Sequence, residues 1–335
     1  MGVLSMIRHM DTKRMRQTAH EVAKEARRPY PLIFCDMVWC GFKYQAGYLD
    51  YSLFHFWDLN AAQRSSVLTR GKNNAYVRAL NDKAHWDDFD VKPIFLRLFA
   101  PYADRKWLDL TEATAQDLQN FGEELGSFLV KPRDGTHGDG VEIVQADEVD
   151  NWSALYDSLM EKGQSLCEEV IVQHPEMSRL WPGSVNTIRL VTILGQDNTV
   201  HTVAAYLRVG NGPRPVDNFN SGGMVTPLDP ETGVILAPAR DKSGFLSEVH
   251  PVTGVKFEGF QVPMWDEVLS FIQKAALVVP QVRYVAWDVA VTAQGPTLVE
   301  GNQYPGHDIY NLPGQNPSKM GILPVLDAVV PFKSL

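Results

Sequence analysis

The chain has few cysteines, and their placement argues against sites built on sulfur. Only three occur in 335 residues, at Cys35, Cys40 and Cys167, and no two of them form a CxxC pair. Zinc sites and disulfide frameworks depend on paired cysteines, so neither is expected here. An odd and small number of cysteines is typical of a reducing compartment, and we expect a cytoplasmic protein.

Long apolar segments are also missing. No run of residues is long enough to cross a bilayer, and the apolar stretch at residues 322–326 is short and interrupted by Pro324. The first six residues lack the apolar core of a signal peptide, and Met6 stands where a myristoylation motif needs Ser or Thr. We therefore expect no membrane segment.

Positive charge is in deficit. The chain has 31 Lys and Arg against 40 Asp and Glu, a formal net charge of −9. Proteins that bind nucleic acid usually carry a basic field, so we expect no nucleic-acid partner. The sequence has no dinucleotide-binding glycine fingerprint, no P-loop and no internal repeat. Its length allows two or three subdomains, and nothing in it indicates the oligomeric state.

The first eighty residues favour helices and are rich in aromatic side chains. Residues 11–28 place apolar side chains at helical spacing and end before Pro29, which predicts an amphipathic helix. Aromatic residues then crowd between Phe34 and Trp57; such clusters form cores and helix-packing surfaces more often than ligand sites. Residues 58–78 are again helical in pattern, with a polar break at residues 71–74.

A strand, a glycine-rich loop and a second strand are predicted over residues 127–144. The first strand ends at Lys131, and the loop contains Gly135, Thr136, His137, Gly138 and Gly140. Glycines let backbone N–H groups approach a ligand closely, and a lysine beside such a loop is a point charge for phosphate. For this segment alone, a hairpin whose glycines only satisfy turn geometry is an equally good interpretation.

Further elements follow along the chain. Helices are predicted over residues 111–125, with Thr111 as the cap, and over residues 151–162 and 265–279. Residues 165–175 are predicted to form a buried strand that ends at Pro175. A strand with exposed backbone edges and a nearby carboxylate could bind an adenine and a ribose. Without other evidence, this segment predicts only a strand.

Two arginines lie in the next predicted strands. Arg189 stands within the apolar strand 186–193, and Arg208 near the end of the strand 200–209. Buried charges are paired, so Arg189 needs an anion. A structural acid and a substrate phosphate are both compatible with the sequence.

The last predicted strand pair, within residues 284–302, carries two acids and an amide. A turn centred on Gln294 places Asp288 opposite Glu300, and Asn302 shares the face of Glu300. Like charges at such positions are destabilising, so the cluster needs a cation. Oxygen ligands suit Mg²⁺ or Mn²⁺ better than zinc. An exposed hairpin with two ordinary acids is the alternative.

Taken in order, these segments resemble the ATP-grasp superfamily over roughly residues 80–310. The resemblance is carried by Lys83, Lys131 and its glycine loop, the strand Cys167–Ile171, Arg189, Asp288, Glu300 and Asn302. Details at Gln173–Pro175, Asn186–Arg189 and Asn220–Gly223 resemble the sugar-transfer-associated branch. The resemblance implies an α+β fold in which two subdomains grip ATP, preceded by a helical, aromatic-rich region. Residues 1–80 would form that region, 81–165 the lid subdomain, and 166–335 the core subdomain with the metal site.

The resemblance also implies residue roles. Lys83 and Lys131 would hold the α- and β-phosphates, and the glycine loop would close over the triphosphate. Backbone groups of Glu168, Glu169, Val170 and Ile171 would pair with the adenine edge, with Glu168 as the side-chain partner. His174 or Glu176 would lie near the ribose. Asp288, Glu300 and Asn302 would carry Mg²⁺ or Mn²⁺. Arg189 and Arg208, with Lys131, would neutralise charge on the transferring phosphoryl group.

The usual reaction of the superfamily implies an ATP-dependent ligase that joins a small-molecule carboxylate to an amine. An acyl phosphate would be the intermediate, with ADP and phosphate as products. An amino acid, a sugar acid or an amino sugar are candidate substrates, in polysaccharide biosynthesis. A phosphotransferase and a non-catalytic nucleotide-binding protein are the alternatives. We expect Asp288→Asn to abolish turnover and to leave the fold intact.

Overall fold

The computed structural model describes residues 11–134, 140–212, 217, 219 and 222–335. The chain folds as two compact units: residues 1–79 with 306–335, and residues 80–305. The division into residues 1–80, 81–165 and 166–335 stays a prediction. None of the helices in the described ranges is long and apolar enough to cross a bilayer.

The first unit is helical in its described residues. Its helices are α1 (Thr12–Glu25), α2 (Tyr30–Tyr44), α3 (Tyr48–Leu53), α4 (Ala61–Ser66), α5 (Arg70–Leu80) and, near the end of the chain, α12 (Leu323–Val329). The Asp11 side chain caps α1 by accepting a hydrogen bond of 2.9 Å from the Arg14 N–H. Helix α1 thus begins and ends within the predicted range.

The aromatic region forms much of the core of this unit. Tyr44, Tyr51, Phe54, Phe56 and Trp57 are buried and belong to one cluster with the apolar face of α1. Two aromatic side chains of α2, Trp39 and Phe42, are exposed instead.

The predicted polar break at residues 71–74 is wrong, because these residues lie inside α5. The actual break comes earlier, between Ser66 and Arg70. Lys72 is buried and its Nζ donates to the carbonyls of Ser65 and Val67, each at 2.9 Å. Its polar side chain therefore caps the end of α4, which the sequence pattern does not reveal.

The second unit holds two antiparallel sheets in its described residues. Its strands are β1 (Trp107–Asp109), β2 (Ser127–Lys131), β3 (Glu142–Gln145), β4 (Leu166–Glu169), β5 (Ile188–Leu194), β6 (Val200–Val209), β7 (Met224–Pro227), β8 (Ala239–Asp241), β9 (Leu246–Ser247), β10 (Tyr284–Thr292) and β11 (Gly295–Asn302). The small sheet has the order β1-β4-β2-β3, and the large sheet has the order β11-β10-β5-β6-β7-β8-β9.

Helices of the second unit pack against these sheets. They are α6 (Asp87–Asp90), α7 (Lys92–Leu98), α8 (Ala115–Leu125), α9 (Trp152–Lys162), α10 (Pro175–Leu180) and α11 (Trp265–Ala275). The main core includes Trp287 on β10 with the rings of Phe89 and Phe99 around it, and the apolar face of α11. A smaller cluster lies between the small sheet and α8 and α9.

Two predicted boundaries differ from the structure. Helix α8 begins at Ala115 and is capped by Thr114, which forms a capping box with Asp117. Thr111 caps nothing; its hydroxyl donates to Asp109 at 2.7 Å. The strand predicted over residues 165–175 is only four residues long, because the chain leaves the small sheet after Glu169.

Candidate active site

The pairing of β10 and β11 places Asp288 directly opposite Glu300, as predicted. The turn is tighter than expected, since Thr292 pairs with Gly295 and only two residues connect the strands. A β-bulge at Val299, between the Val289–Leu298 and Asp288–Glu300 pairs, restores the predicted register. The tight turn and the bulge together produce the same pairing that a turn centred on Gln294 predicts.

Asp288 is buried and tied to two arginines. Its neighbour on the other side is Arg189 of β5, whose Nε and Nη2 donate to the two carboxylate oxygens at 2.5 and 2.8 Å. Arg208 on β6 adds a third hydrogen bond, from Nη1 at 2.9 Å. Burial alone would raise the pKa of Asp288, but the two guanidinium groups outweigh it and lower the pKa to about 2. The anion required by Arg189 is thus an acid of the protein.

Glu300 has the opposite electrostatic environment. Burial, and then the charge of Asp288, raise the pKa of its carboxyl. Asn302 donates a hydrogen bond of 3.3 Å to Glu300 Oε1, so these two side chains share one face of β11. The two acids therefore lie side by side, with the pKa of Asp288 lowered and the pKa of Glu300 raised.

A second buried ion cluster surrounds Glu168 on β4. Lys131 Nζ lies 2.5 Å from Glu168 Oε1, and Arg105 Nε donates to Oε2 at 2.6 Å. Burial opposes the charge, but Arg105 and Lys131 lower the pKa of Glu168 to about 2. The Glu168 side chain thus holds Lys131, whereas the resemblance implied a contact with adenine.

Arg105 also joins the two sheets. Its Nη1 donates to the Leu298 carbonyl at 2.6 Å and its Nη2 to the Val299 carbonyl at 3.2 Å. Val299 is the bulged residue of β11. The carbonyl of the bulged Val299 therefore accepts a hydrogen bond from Arg105, the same side chain that binds Glu168 of the small sheet.

One pocket lies between the Glu168 cluster and the face of β11 that carries Glu300 and Asn302. It is lined by Phe89, Asp90, Lys92, Phe95, Leu96, Arg105, Lys131, Glu168, Val299, Glu300, Gly301 and Asn302. Lys92 begins α7 and is half-buried. Burial, and then the nearby charge of Lys131, lower the pKa of Lys92, while Glu300 and Glu168 oppose that effect. Two lysines from different segments thus converge beside Glu300 and Asn302.

Lys83 is not among the described residues that line this pocket. It lies in a short turn at Lys83–His85, is exposed, and places its Nζ 5.5 Å from the centroid of the Trp86 ring. Lys92, nine residues later, lines the pocket, and the phosphate contact that the resemblance implied for Lys83 stays a prediction. The sequence contains a sign of Lys92: the dipeptide Lys92-Pro93 repeats the dipeptide Lys131-Pro132. The sequence analysis did not use it.

The predicted adenine segment connects the two sheets. After Glu169 the chain passes through Val170 and Ile171 without regular structure. The His174 N–H then donates to the Val291 carbonyl of β10 at 2.7 Å. The His174 ring is engaged at the start of α10, where Nδ1 accepts a hydrogen bond of 3.1 Å from the Glu176 N–H.

The glycine loop is described only in part. Gly135, Thr136, His137 and Gly138 lie outside the described residues. Gly140 follows them at φ 71°, and its carbonyl accepts a hydrogen bond of 2.8 Å from the Gln164 side chain.

Asp217 is a further acid near the arginines that the sequence analysis did not assign. It is buried, and its Oδ2 accepts hydrogen bonds from the N–H and the hydroxyl of Thr187, at the start of β5. Burial raises the pKa of Asp217, although the charge of Arg208 opposes that shift.

The donor set fits a hard divalent cation that also binds phosphate. Within the described ranges, no group of three or more His, Cys, Asp or Glu side chains is placed to hold a metal ion. The predicted set has two carboxylates and one amide, and the Asp288 oxygens already accept from two arginines. Mg²⁺ is commonly bound through one or two carboxylates, with substrate phosphates and water completing the shell. Glu300 and Asn302, which face the pocket, fit that pattern.

One comparison identifies a protein family. The model of the sugar-transfer-associated ATP-grasp family matches residues 72–329. No curated protein matches.

Similar solved structures include the ATP-grasp ligase PsnB, complexed with Mg, ADP and a phosphomimetic variant of its minimal precursor. It is 15% identical, with a TM-score of 0.44, over 76% of this chain and 62% of that one. D-Alanyl-alanine synthetase A from Vibrio cholerae is 12% identical, with a TM-score of 0.41, over 73% and 60%. D-Cycloserine synthetase DcsG is 16% identical, with a TM-score of 0.39, over 75% and 71%. The chain thus spans somewhat less than two thirds of the length of PsnB.

The family match covers most of the chain, and the helical first unit with its aromatic core precedes two antiparallel sheets, as the resemblance implied. The chain belongs to the sugar-transfer-associated ATP-grasp family and has the ATP-grasp fold.

Proposed function

We propose that the protein is an ATP-dependent ligase that joins a carboxylate to an amine. The observation that carries the proposal is the convergence of Lys92 and Lys131 in one pocket with Glu300 and Asn302. Two lysine side chains held close together in a partly buried site favour a polyanion, and a triphosphate has the required charge. The acidic groups beside them suit the cation that accompanies a nucleotide.

The residues of the pocket bind and position rather than react covalently. Glu168 fixes the position of Lys131, while Lys92 and Lys131 bind phosphate oxygens of ATP. Arg189 and Arg208 are bound to Asp288 and are not among the residues that line the pocket, so they hold Asp288 beside Glu300 and add positive charge to this end of the site. Mg²⁺, held by Glu300 and Asn302, would neutralise charge on the terminal phosphates.

The reaction has two steps. A substrate carboxylate oxygen attacks the γ-phosphorus, the bond to the β-phosphate oxygen breaks, and ADP leaves. An amine nitrogen then attacks the acyl carbon, phosphate leaves, and the amine loses a proton. Cys167 takes no part, because burial raises the pKa of its thiol to about 12.

The test uses the full-length protein with Mg²⁺ and ATP. Binding of ADP with Mg²⁺ is measured first by calorimetry. Pools of carboxylic acids are then supplied with hydroxylamine, which converts an acyl phosphate to a hydroxamate. Hydroxamate formed together with ADP and phosphate supports a ligase. A stable phosphorylated product without phosphate release would establish a phosphotransferase, and failure to bind ADP would overturn the nucleotide site itself.

A further inference from the structure

The two units carry formal charges of opposite sign. Residues 1–79 and 306–335 contain 14 Lys and Arg against 8 Asp and Glu. Residues 80–305 contain 17 against 32. The formal net charges are therefore +6 and −15, with His neutral. The overall charge of −9 conceals a basic first unit.

Helix α2 in this basic unit is apolar on two opposite faces. Its buried face consists of Ile33, Met37, Cys40 and Tyr44. On the other side Leu32, Trp39 and Phe42 are 65%, 56% and 58% exposed. Their spacing of seven and three residues puts them on one face of the helix, with the exposed Cys35 between them. We call Leu32, Cys35, Trp39 and Phe42 the α2 stripe.

Basic side chains flank the α2 stripe at both ends. Arg27 and Arg28 are exposed and directly precede Pro29, the N-cap residue of α2. At the other end Lys43 is exposed, and its Nζ lies 5.5 Å from the centroid of the Trp39 ring. Tryptophan and phenylalanine beside lysine and arginine are the composition of helices that lie in the membrane interface.

We propose that the α2 stripe docks the protein on the surface of an anionic lipid bilayer. Apolar side chains enter the interface while the flanking basic groups attract anionic headgroups. The stripe spans about 15 Å of one helix, and a stable protein interface usually buries about 800 Å² on each partner. A second copy of the basic unit would also be repelled by like charge. A bilayer needs neither a large complementary surface nor a groove.

The experiment is flotation of the full chain with vesicles of phosphatidylcholine, alone or mixed with phosphatidylglycerol, at low and high salt. We expect binding only to the mixed vesicles, weakened by salt. The double variant Trp39→Ser/Phe42→Ser should lose at least about tenfold in partition coefficient, because it removes apolar side chains from the interface. Arg27→Glu/Arg28→Glu should lose binding to the mixed vesicles.

A matched control removes equally exposed side chains from the acidic unit. Phe245 and Val252 are 66% and 67% exposed, and Phe245→Ser/Val252→Ser should bind vesicles like the parent protein. Circular dichroism and melting temperature check that all variants are folded. No flotation with mixed vesicles, or equal loss in the control and the stripe variant, would overturn the proposal. Concentration-dependent dimers that disappear in Trp39→Ser/Phe42→Ser, without vesicle binding, would assign the stripe to a second copy instead.

Discussion

Asp288 and Glu300 face each other across two strands, yet the pKa values of their carboxyl groups move in opposite directions. The difference arises from the third strand. Arg189 on β5 and Arg208 on β6 donate hydrogen bonds to Asp288, whereas burial and the charge of Asp288 are the main influences on Glu300. Because Asp288 is engaged by the arginines, Glu300, together with Asn302, is the acid of this pair that lines the pocket.

Asp288→Asn should destabilise the second unit as well as abolish turnover. The change leaves the buried Arg189 and the partly buried Arg208 with a neutral partner, and loss of one member of a buried ion pair costs about 3–5 kcal/mol. The sequence alone predicted an intact fold, because it did not reveal these contacts. Urea unfolding followed by circular dichroism measures the effect.

The control for this variant is Glu112→Gln. Glu112 is 59% exposed and pairs with Arg97 at 2.6 Å, and an exposed pair contributes about 0–1 kcal/mol. Equal destabilisation by both substitutions would show that Asp288 does not balance the arginines in the folded protein.

Glu300→Gln should stabilise the protein near neutral pH while weakening binding of ADP with Mg²⁺. A group whose folded pKa is raised contributes stability that is present below its unfolded pKa and lost as pH rises through the folded value. At pH 7 the charged Glu300 therefore lowers the free energy of unfolding of the parent protein. Glutamine removes this effect, which is roughly 0.2–1 kcal/mol for a cross-strand pair. The advantage of the variant should shrink as pH falls towards about 4.3, the ordinary Glu value.

Asp288 gives the opposite pH dependence. Its pKa of about 2 lies below the ordinary value of about 3.9, so its stabilisation is complete above that value and is lost as pH falls towards 2. Denaturation at pH 4, 5.5 and 7 separates the two effects. Glu124→Gln, at an acid that is 58% exposed, is the control and should show no pH-dependent gain. A Glu300→Gln variant less stable than the parent at pH 7 would contradict the assignment.

Lys92→Met should weaken binding of ADP with Mg²⁺, whereas Lys83→Met should not. Lys92 lines the pocket, and loss of one charge-assisted hydrogen bond of about 1.5–3 kcal/mol corresponds to a loss of affinity of about tenfold or more. Lys83 is exposed beside Trp86, so we expect less than about a twofold change. Calorimetry with ADP measures both. A larger effect at Lys83 would support the role that the family resemblance implied for it and would contradict the assignment of Lys92.

Gly301→Ala should destabilise the strand that carries Glu300 and Asn302. A Cβ at Gly301 would lie 3.0 Å from Phe89 Cδ1 and from Phe95 Cε2. Overpacking of this kind costs about 1–3 kcal/mol, and movement of β11 should also weaken ADP binding. At Gly212 no described atom lies within 4 Å of an added Cβ, so Gly212→Ala is the matched control. Similar melting temperatures for both variants would show that the Phe89 and Phe95 rings move aside without a measurable loss of stability.

The sequence by itself determined how the strands β10 and β11 pair. Alternating apolar residues with acids at two positions permit only a few registers, and the one with Asp288 opposite Glu300 occurs. A charged side chain inside an apolar strand needs a partner, and the structure supplies Asp288 for Arg189. The roles that the family resemblance implied for Lys131, Arg189 and Arg208 towards ATP stay predictions.

Only the tertiary structure decided which distant groups meet. Lys92 is separated from Glu300 by more than two hundred residues, and neither periodicity nor composition relates them. Arg105 and Glu168 pair because β4 and the segment before β1 lie side by side, which sequence spacing does not specify. Local patterns depend on neighbours along the chain, whereas charge pairing depends on distances in space that arise only when the sheets pack.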